Sequence, residues 1–133
     1  MKKRVAVVGM LAAFLLAACG SATSAVQTVD PQNFLASASQ TGAVVVDVRT
    51  PEEFAAGHLP NAVNVNVEDP TFESQIASLD KGATYVVYCR SGRRSAIATD
   101  AMAAAGFTSV YNLNGGLDDL AAAGATVVTQ WAA

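Results

Sequence analysis

Ala83-Thr84-Tyr85-Val86-Val87-Tyr88 runs directly into Cys89-Arg90-Ser91-Gly92-Arg93-Arg94-Ser95. The first stretch has the length and β-branched, aromatic composition of a strand buried on both faces. Alanine-rich sequence follows as far as Gly106, which reads as a helix with a glycine stop. A thiol is thereby placed where a buried strand gives way to a helix, the position at which open α/β sheets build their sites. Helix-first N–H groups carry partial positive charge, and Arg90, Arg93 and Arg94 add three full charges around one sulfur, so the thiolate form of Cys89 is favoured. Cys89 reads as a loop-tip nucleophile.

Outward from this point, strand and helix patterns alternate. Val26 to Val29 reads as a short edge strand, and Asp30-Pro31 as the N-cap and first turn of a helix reaching about Ser39. Ala43 to Val48 is a second apolar strand, and Thr50-Pro51-Glu52-Glu53 fits a capping box on a short helix ending near Gly57. Ala62 to Val67 reads as a third strand, Phe72 to Leu79 as a helix, Val110 to Leu113 as a strand, Leu117 to Ala123 as a helix and Ala125 to Thr129 as a last extended segment. The predicted fold class is α/β, with a mainly parallel central sheet flanked by helices on both faces.

The N-terminus has a different character. Lys2, Lys3 and Arg4 precede an apolar stretch, Val5 to Ala18, that is short for a membrane span and has the charged front of an export signal. Leu16-Ala17-Ala18-Cys19 resembles the lipobox of bacterial lipoproteins. That resemblance implies a signal peptide over residues 1–18 and a diacylated Cys19, further acylated by a palmitate-type chain in many species. Residues 19–25 would be the lipidated cysteine and a flexible Gly/Ser/Ala tether, and residues 26–133 the folded domain. The expected location is the cell envelope, lipid-anchored to a bacterial membrane on the extracytoplasmic side. With Cys19 committed to lipid, Cys89 has no partner for an internal disulfide.

Removing residues 1–18 takes three of the eight cations and none of the eleven acids, leaving five against eleven and a net charge of −6. Three of those five cations sit in the Cys89 loop. An acidic body with one basic spot argues against nucleic acid as a partner and for a small anion drawn to that spot.

Val46-Asp47-Val48-Arg49-Thr50-Pro51-Glu52-Glu53-Phe54, then Gly57-His58-Leu59-Pro60-Asn61-Ala62-Val63-Asn64, then the Cys89 loop and Gly115-Gly116 resemble the single-domain rhodanese pattern in order and spacing. The resemblance implies a rhodanese-like fold and a sulfurtransferase. Cys89 would take a sulfane sulfur from an anionic donor such as thiosulfate, hold it as a persulfide, and pass it to a cyanide-like acceptor, a small thiol or a thiol protein, with no cofactor. In that reading Arg90 and Arg94 bind and orient the donor, the backbone amides of Ser91, Gly92, Arg93 and Arg94 stabilise charge on sulfur, and the Arg93 side chain points to solvent and at most steers. A cysteine phosphatase is the nearest alternative chemistry. Its loops place one residue more between cysteine and arginine than the four separating Cys89 from Arg94, and Ser95 stands where its arginine would. The alternative of another class is a non-catalytic rhodanese-like module that binds a partner or relays persulfide or redox signals.

Asp47, Arg49, Glu53 and His58 are read as structural. Arg49 and Glu53 would pair to brace the strand-to-helix turn, His58 would fix the following loop, and Asp47 or Arg49 could line the pocket mouth behind the substrate-binding groups. His58 is the lone histidine, which gives no metal site. Gly115-Gly116 lacks a nucleotide-binding fingerprint and reads as a turn. Relatives often carry a tryptophan shortly after the double glycine; here Leu117 and Leu120 occupy that stretch, and Trp131 lies near the C-terminus.

Overall fold

The computed structural model describes residues 24–129. Cys19, the proposed signal and Trp131 lie outside them. Five strands, β1 (Val26–Val29), β2 (Val44–Asp47), β3 (Val63–Asn64), β4 (Thr84–Tyr88) and β5 (Ser109–Leu113), form one sheet in the order β1-β5-β4-β2-β3. Every pairing is parallel. Among the described residues five helices, α1 (Pro31–Ala38), α2 (Pro51–Ala56), α3 (Phe72–Ala77), α4 (Arg93–Ala104) and α5 (Leu117–Ala122), connect or follow the strands.

The central strand shows why both faces are covered. Alternation along β4 sends Tyr85 and Val87, with Cys89 beyond them, into a core shared with Phe72, Ile76, Ala98 and Met102 of α3 and α4. Val86 and Tyr88 point the other way, onto Phe34 of α1 and Leu120 of α5. Ser95, Ala98, Thr99 and Met102 form the buried stripe of α4 at the spacing of one helix face. Leu120 is fully buried in the second core, so leucine packs the stretch after Gly115-Gly116.

The caps read from sequence are present. The Asp30 carboxylate accepts the Asn33 N–H at 2.8 Å, and Thr50 and Glu53 form a reciprocal capping box. Two elements are shorter than their sequence pattern. The predicted third strand shrinks to Val63–Asn64 because β3 is an edge. Beyond its ladder, Val65 and Val67 still donate to the Asp47 and Val48 carbonyls, and the Asn64 side chain donates to the Asp47 and Arg49 carbonyls. The extended segment near Val128 does not join the sheet; it exchanges two backbone hydrogen bonds with His58, at 2.9 and 2.8 Å.

This topology creates the crevice. The chain leaves β2 toward β3 on one side and leaves β4 toward β5 on the other, so the loops after these neighbouring strands diverge. Ligand sites in open parallel sheets form at such a switch point, beyond the carboxyl ends of the strands. Cys89 and Arg49 both lie there.

Candidate active site at the Cys89 loop

The loop after β4 closes over its own sulfur. Gly92 N–H donates to Cys89 Sγ at 2.9 Å, made possible by a φ of +101° that favours glycine. The thiol donates to Ser95 Oγ at 3.5 Å, and the Ser95 hydroxyl donates to the Gly92 carbonyl at 3.1 Å. On ionisation that hydroxyl can turn and donate to sulfur. Burial pushes the Cys89 thiol up, but hydrogen bonds from the Ser95 hydroxyl and the Ser95, Ser91 and Gly92 amides outweigh it, so its pKa lies below the ordinary thiol value. The main stabilisers are hydrogen-bond donors, the Ser95 hydroxyl and the amides of Ser91, Gly92 and Ser95, and Arg94 adds a charge interaction with the sulfur. Cys89 is fully buried, which corrects its reading as a loop-tip residue. A loop that turns several N–H groups inward necessarily covers the atom they converge on.

The double glycine is the floor of this loop. Leu117 N–H donates to the Cys89 carbonyl at 3.2 Å. A Cβ on Gly116 would collide with the Arg90 carbonyl, and one on Gly92 would lie 3.2 Å from the Gly115 carbonyl. Gly115-Gly116 is thus more than a turn: its bareness lets two backbones touch.

Charged partners are also redistributed. Arg94 donates to both carboxylate oxygens of Glu53, at 2.7 and 2.8 Å, and lies 3.6 Å from Glu68. The hydrogen bond from Arg94 is the main reason that the Glu53 carboxyl is pulled down from 4.5 to about 2; burial opposes it, and bonds from Thr50 add to it. The fork read as holding donor oxygens is therefore occupied by a side chain. Arg49 does not pair with Glu53, a correction. Its guanidinium donates to Asp47 at 2.6 Å and to the Gly57 carbonyl at 2.6 Å. Positions two apart at a strand end share a face, whereas Glu53 at the third position of α2 is turned toward α4. Asp47 and Arg49 are buried beneath the sheet end, Arg49 beside the Tyr88 ring, so neither lines the mouth. His58 stacks on Phe54 at 3.8 Å and donates through Nδ1 to the Phe54 carbonyl.

Beside the loop is a cavity of about 440 Å³ lined by Val67, Glu68, Ser91, Arg93, Arg94 and Ile97. Arg93 is exposed and borders it; Arg90 is exposed and does not. Sequence reasoning missed Ser95, Glu68 and the Arg94 partner. Glu53 and Arg94 stand 41 residues apart, so no local pattern reveals them.

A rhodanese-like domain model matches residues 30–123. The chain belongs to the rhodanese-like domain family. Among relatives of this family, the chain is 37% identical over 76 residues to the thiosulfate sulfurtransferase PspE of Escherichia coli K12, covering 57% of this chain and 72% of that protein. It is 33% identical over 90 residues to the thiosulfate sulfurtransferase GlpE of Pseudomonas putida, covering 68% and 80%. The match to the senescence-associated protein DIN1 of Raphanus sativus, 35% over 105 residues, covers 71% of this chain but only 57% of that protein's length. Among solved structures, a rhodanese with anions from E. coli superposes with a TM-score of 0.54 at 32% identity, over 65% of this chain and 98% of the other. Helicobacter pylori hp1203 gives a TM-score of 0.61 at 31% identity, covering 77% and 88%.

Proposed function

We propose that the protein is a sulfurtransferase working through a Cys89 persulfide. The observation that carries the reading is the hydrogen-bond cradle around Sγ, led by the Gly92 N–H at 2.9 Å. In the first half-reaction the Cys89 thiolate attacks the outer sulfur of a sulfane donor such as thiosulfate. The S–S bond of the donor breaks and sulfite leaves with the bonding pair. In the second, a thiophile attacks the outer persulfide sulfur and the pair returns to Sγ, where the same donors receive it. The loop thus stabilises one sulfur both as nucleophile and as leaving group. The names of the PspE and GlpE relatives support this direction.

Arg93 is the cation offered to an anionic donor, and Arg90 adds to the field that draws it in. Arg94 shapes the loop through Glu53. The test is a thiosulfate-to-cyanide assay on purified wild-type and Cys89→Ser proteins, with turnover expected only in the wild type. Turnover in a folded Cys89→Ser protein would refute it.

A non-catalytic, persulfide-relaying module is the second reading, favoured by the full burial of Sγ and by the occupied Arg94 fork. Absence of turnover despite a persulfide on Cys89 would select it. We further propose that the domain is held at the cell envelope by lipid on Cys19. Cys19→Ala should then leave the membrane fraction, and its retention there would contradict the anchor.

A further inference from the structure

The cavity beside the Cys89 loop, which Ser91, Arg93 and Arg94 of that loop line, is poorly matched to the smallest sulfur-transfer partners. At about 440 Å³ it lies within the range of sites for small organic molecules, about 300–1,000 Å³, and far exceeds what cyanide would fill. Its charge is mixed. Arg94 is neutralised by Glu53, while among the described residues Arg93 has no ion-pair partner. Glu68 is 59% exposed and touches Arg94 only at 3.6 Å, which leaves its carboxylate free to accept hydrogen bonds. Val67 and the 55%-exposed Ile97 add an apolar wall. A cavity shaped for an inorganic dianion alone would gain nothing from Glu68, which repels it.

Resting on the sulfurtransferase reading, we infer that the cavity takes an amino-acid-type thiol as sulfur acceptor. Glu68 recognises its ammonium group and Arg93 its carboxylate. Both contacts are charge-assisted hydrogen bonds to opposite ends of one small zwitterion, and the carbon chain lies on Val67 and Ile97. The acceptor thiolate attacks the outer sulfur of the Cys89 persulfide, the bond to Sγ breaks with its pair returning to Sγ, and the acceptor leaves as a persulfide. Glu68 is a specificity-determining residue in this step.

The experiment loads Cys89 with thiosulfate, removes the excess, and follows single-turnover sulfur release to cysteine, N-acetylcysteine and cyanide, with thiol rates expressed per thiolate. Wild type should prefer cysteine to N-acetylcysteine by about tenfold or more, the scale of one charge-assisted hydrogen bond. Glu68→Gln should bring that ratio within about twofold and raise the cyanide rate, opposite effects that general damage to the loop would not produce. In parallel, unreactive S-methylcysteine should shift the NMR signals of Val67 and Ile97 in wild type and bind about tenfold more weakly to Glu68→Gln. Equal cysteine and N-acetylcysteine rates in wild type, or an unchanged ratio in Glu68→Gln, overturn the inference while leaving the sulfurtransferase reading standing. Failure of Cys89 to take up sulfur at all overturns that reading and this inference with it.

Discussion

Arg94, one residue into α4, grips both oxygens of Glu53 in α2, so the cysteine loop and the turn after β2 meet in one bidentate ion pair. Glu53 also accepts the Thr50 N–H at 3.1 Å, closing the cap of its own helix. Its carboxyl is held at about 2 against an ordinary 4.5. Between those values the unfolded chain takes up a proton that the folded chain refuses. Stability from this pair is therefore complete above about pH 4.5 and lost as pH falls toward 2. Glu53→Gln keeps a capping-box side chain but loses the charge, so it should cost about 1 kcal/mol at neutral pH and flatten the acid side of the stability profile. Denaturant midpoints of both proteins from pH 7 to pH 2 check this; parallel profiles would contradict it.

Ser95 acts on the sulfur itself. Removing its hydroxyl takes away a donor that favours the thiolate, so the Cys89 pKa should rise in Ser95→Ala. The pH profile of persulfide formation should move to higher pH, with a several-fold loss near neutrality that narrows at alkaline pH. Stopped-flow rates across pH measure it, and a uniform loss at every pH would assign Ser95 to packing alone.

Gly116 carries a different kind of constraint. Its φ of −138° suits any residue, so the objection to a side chain is contact with the Arg90 carbonyl, not backbone strain. Gly116→Ala should destabilise the fold by about 1–3 kcal/mol, the usual cost of overpacking, and displace the loop that aims N–H groups at Sγ. Thermal unfolding together with the iodoacetamide rate of Cys89 tests both parts. Unchanged alkylation kinetics in a destabilised protein would separate the double glycine from the site.

The layered sheet and the position of the cysteine were legible because each is written in contiguous residues. Thr84 to Tyr88 is apolar on both faces, and the capping residues of α1 and α2 stand beside the helices they start. What escaped sequence reasoning depends on tertiary contacts. The choice of Asp47 over Glu53 as partner for Arg49 turns on strand pleat and helix rotation together. The burial of Cys89 depends on Leu117 and Gly116 arriving from beyond β5. Glu68 reaches the mouth only because the chain past β3 keeps following β2, with Val65 and Val67 donating to its end.

Intact-protein mass spectrometry before and after thiosulfate exposure reads directly whether Cys89 carries sulfur as a persulfide. The expected result is a gain of one sulfur atom, mapped to the fragment containing Cys89 and lost on adding cyanide. No gain on a folded protein whose Cys89 can still be alkylated, or the same gain in Cys89→Ser, would contradict it.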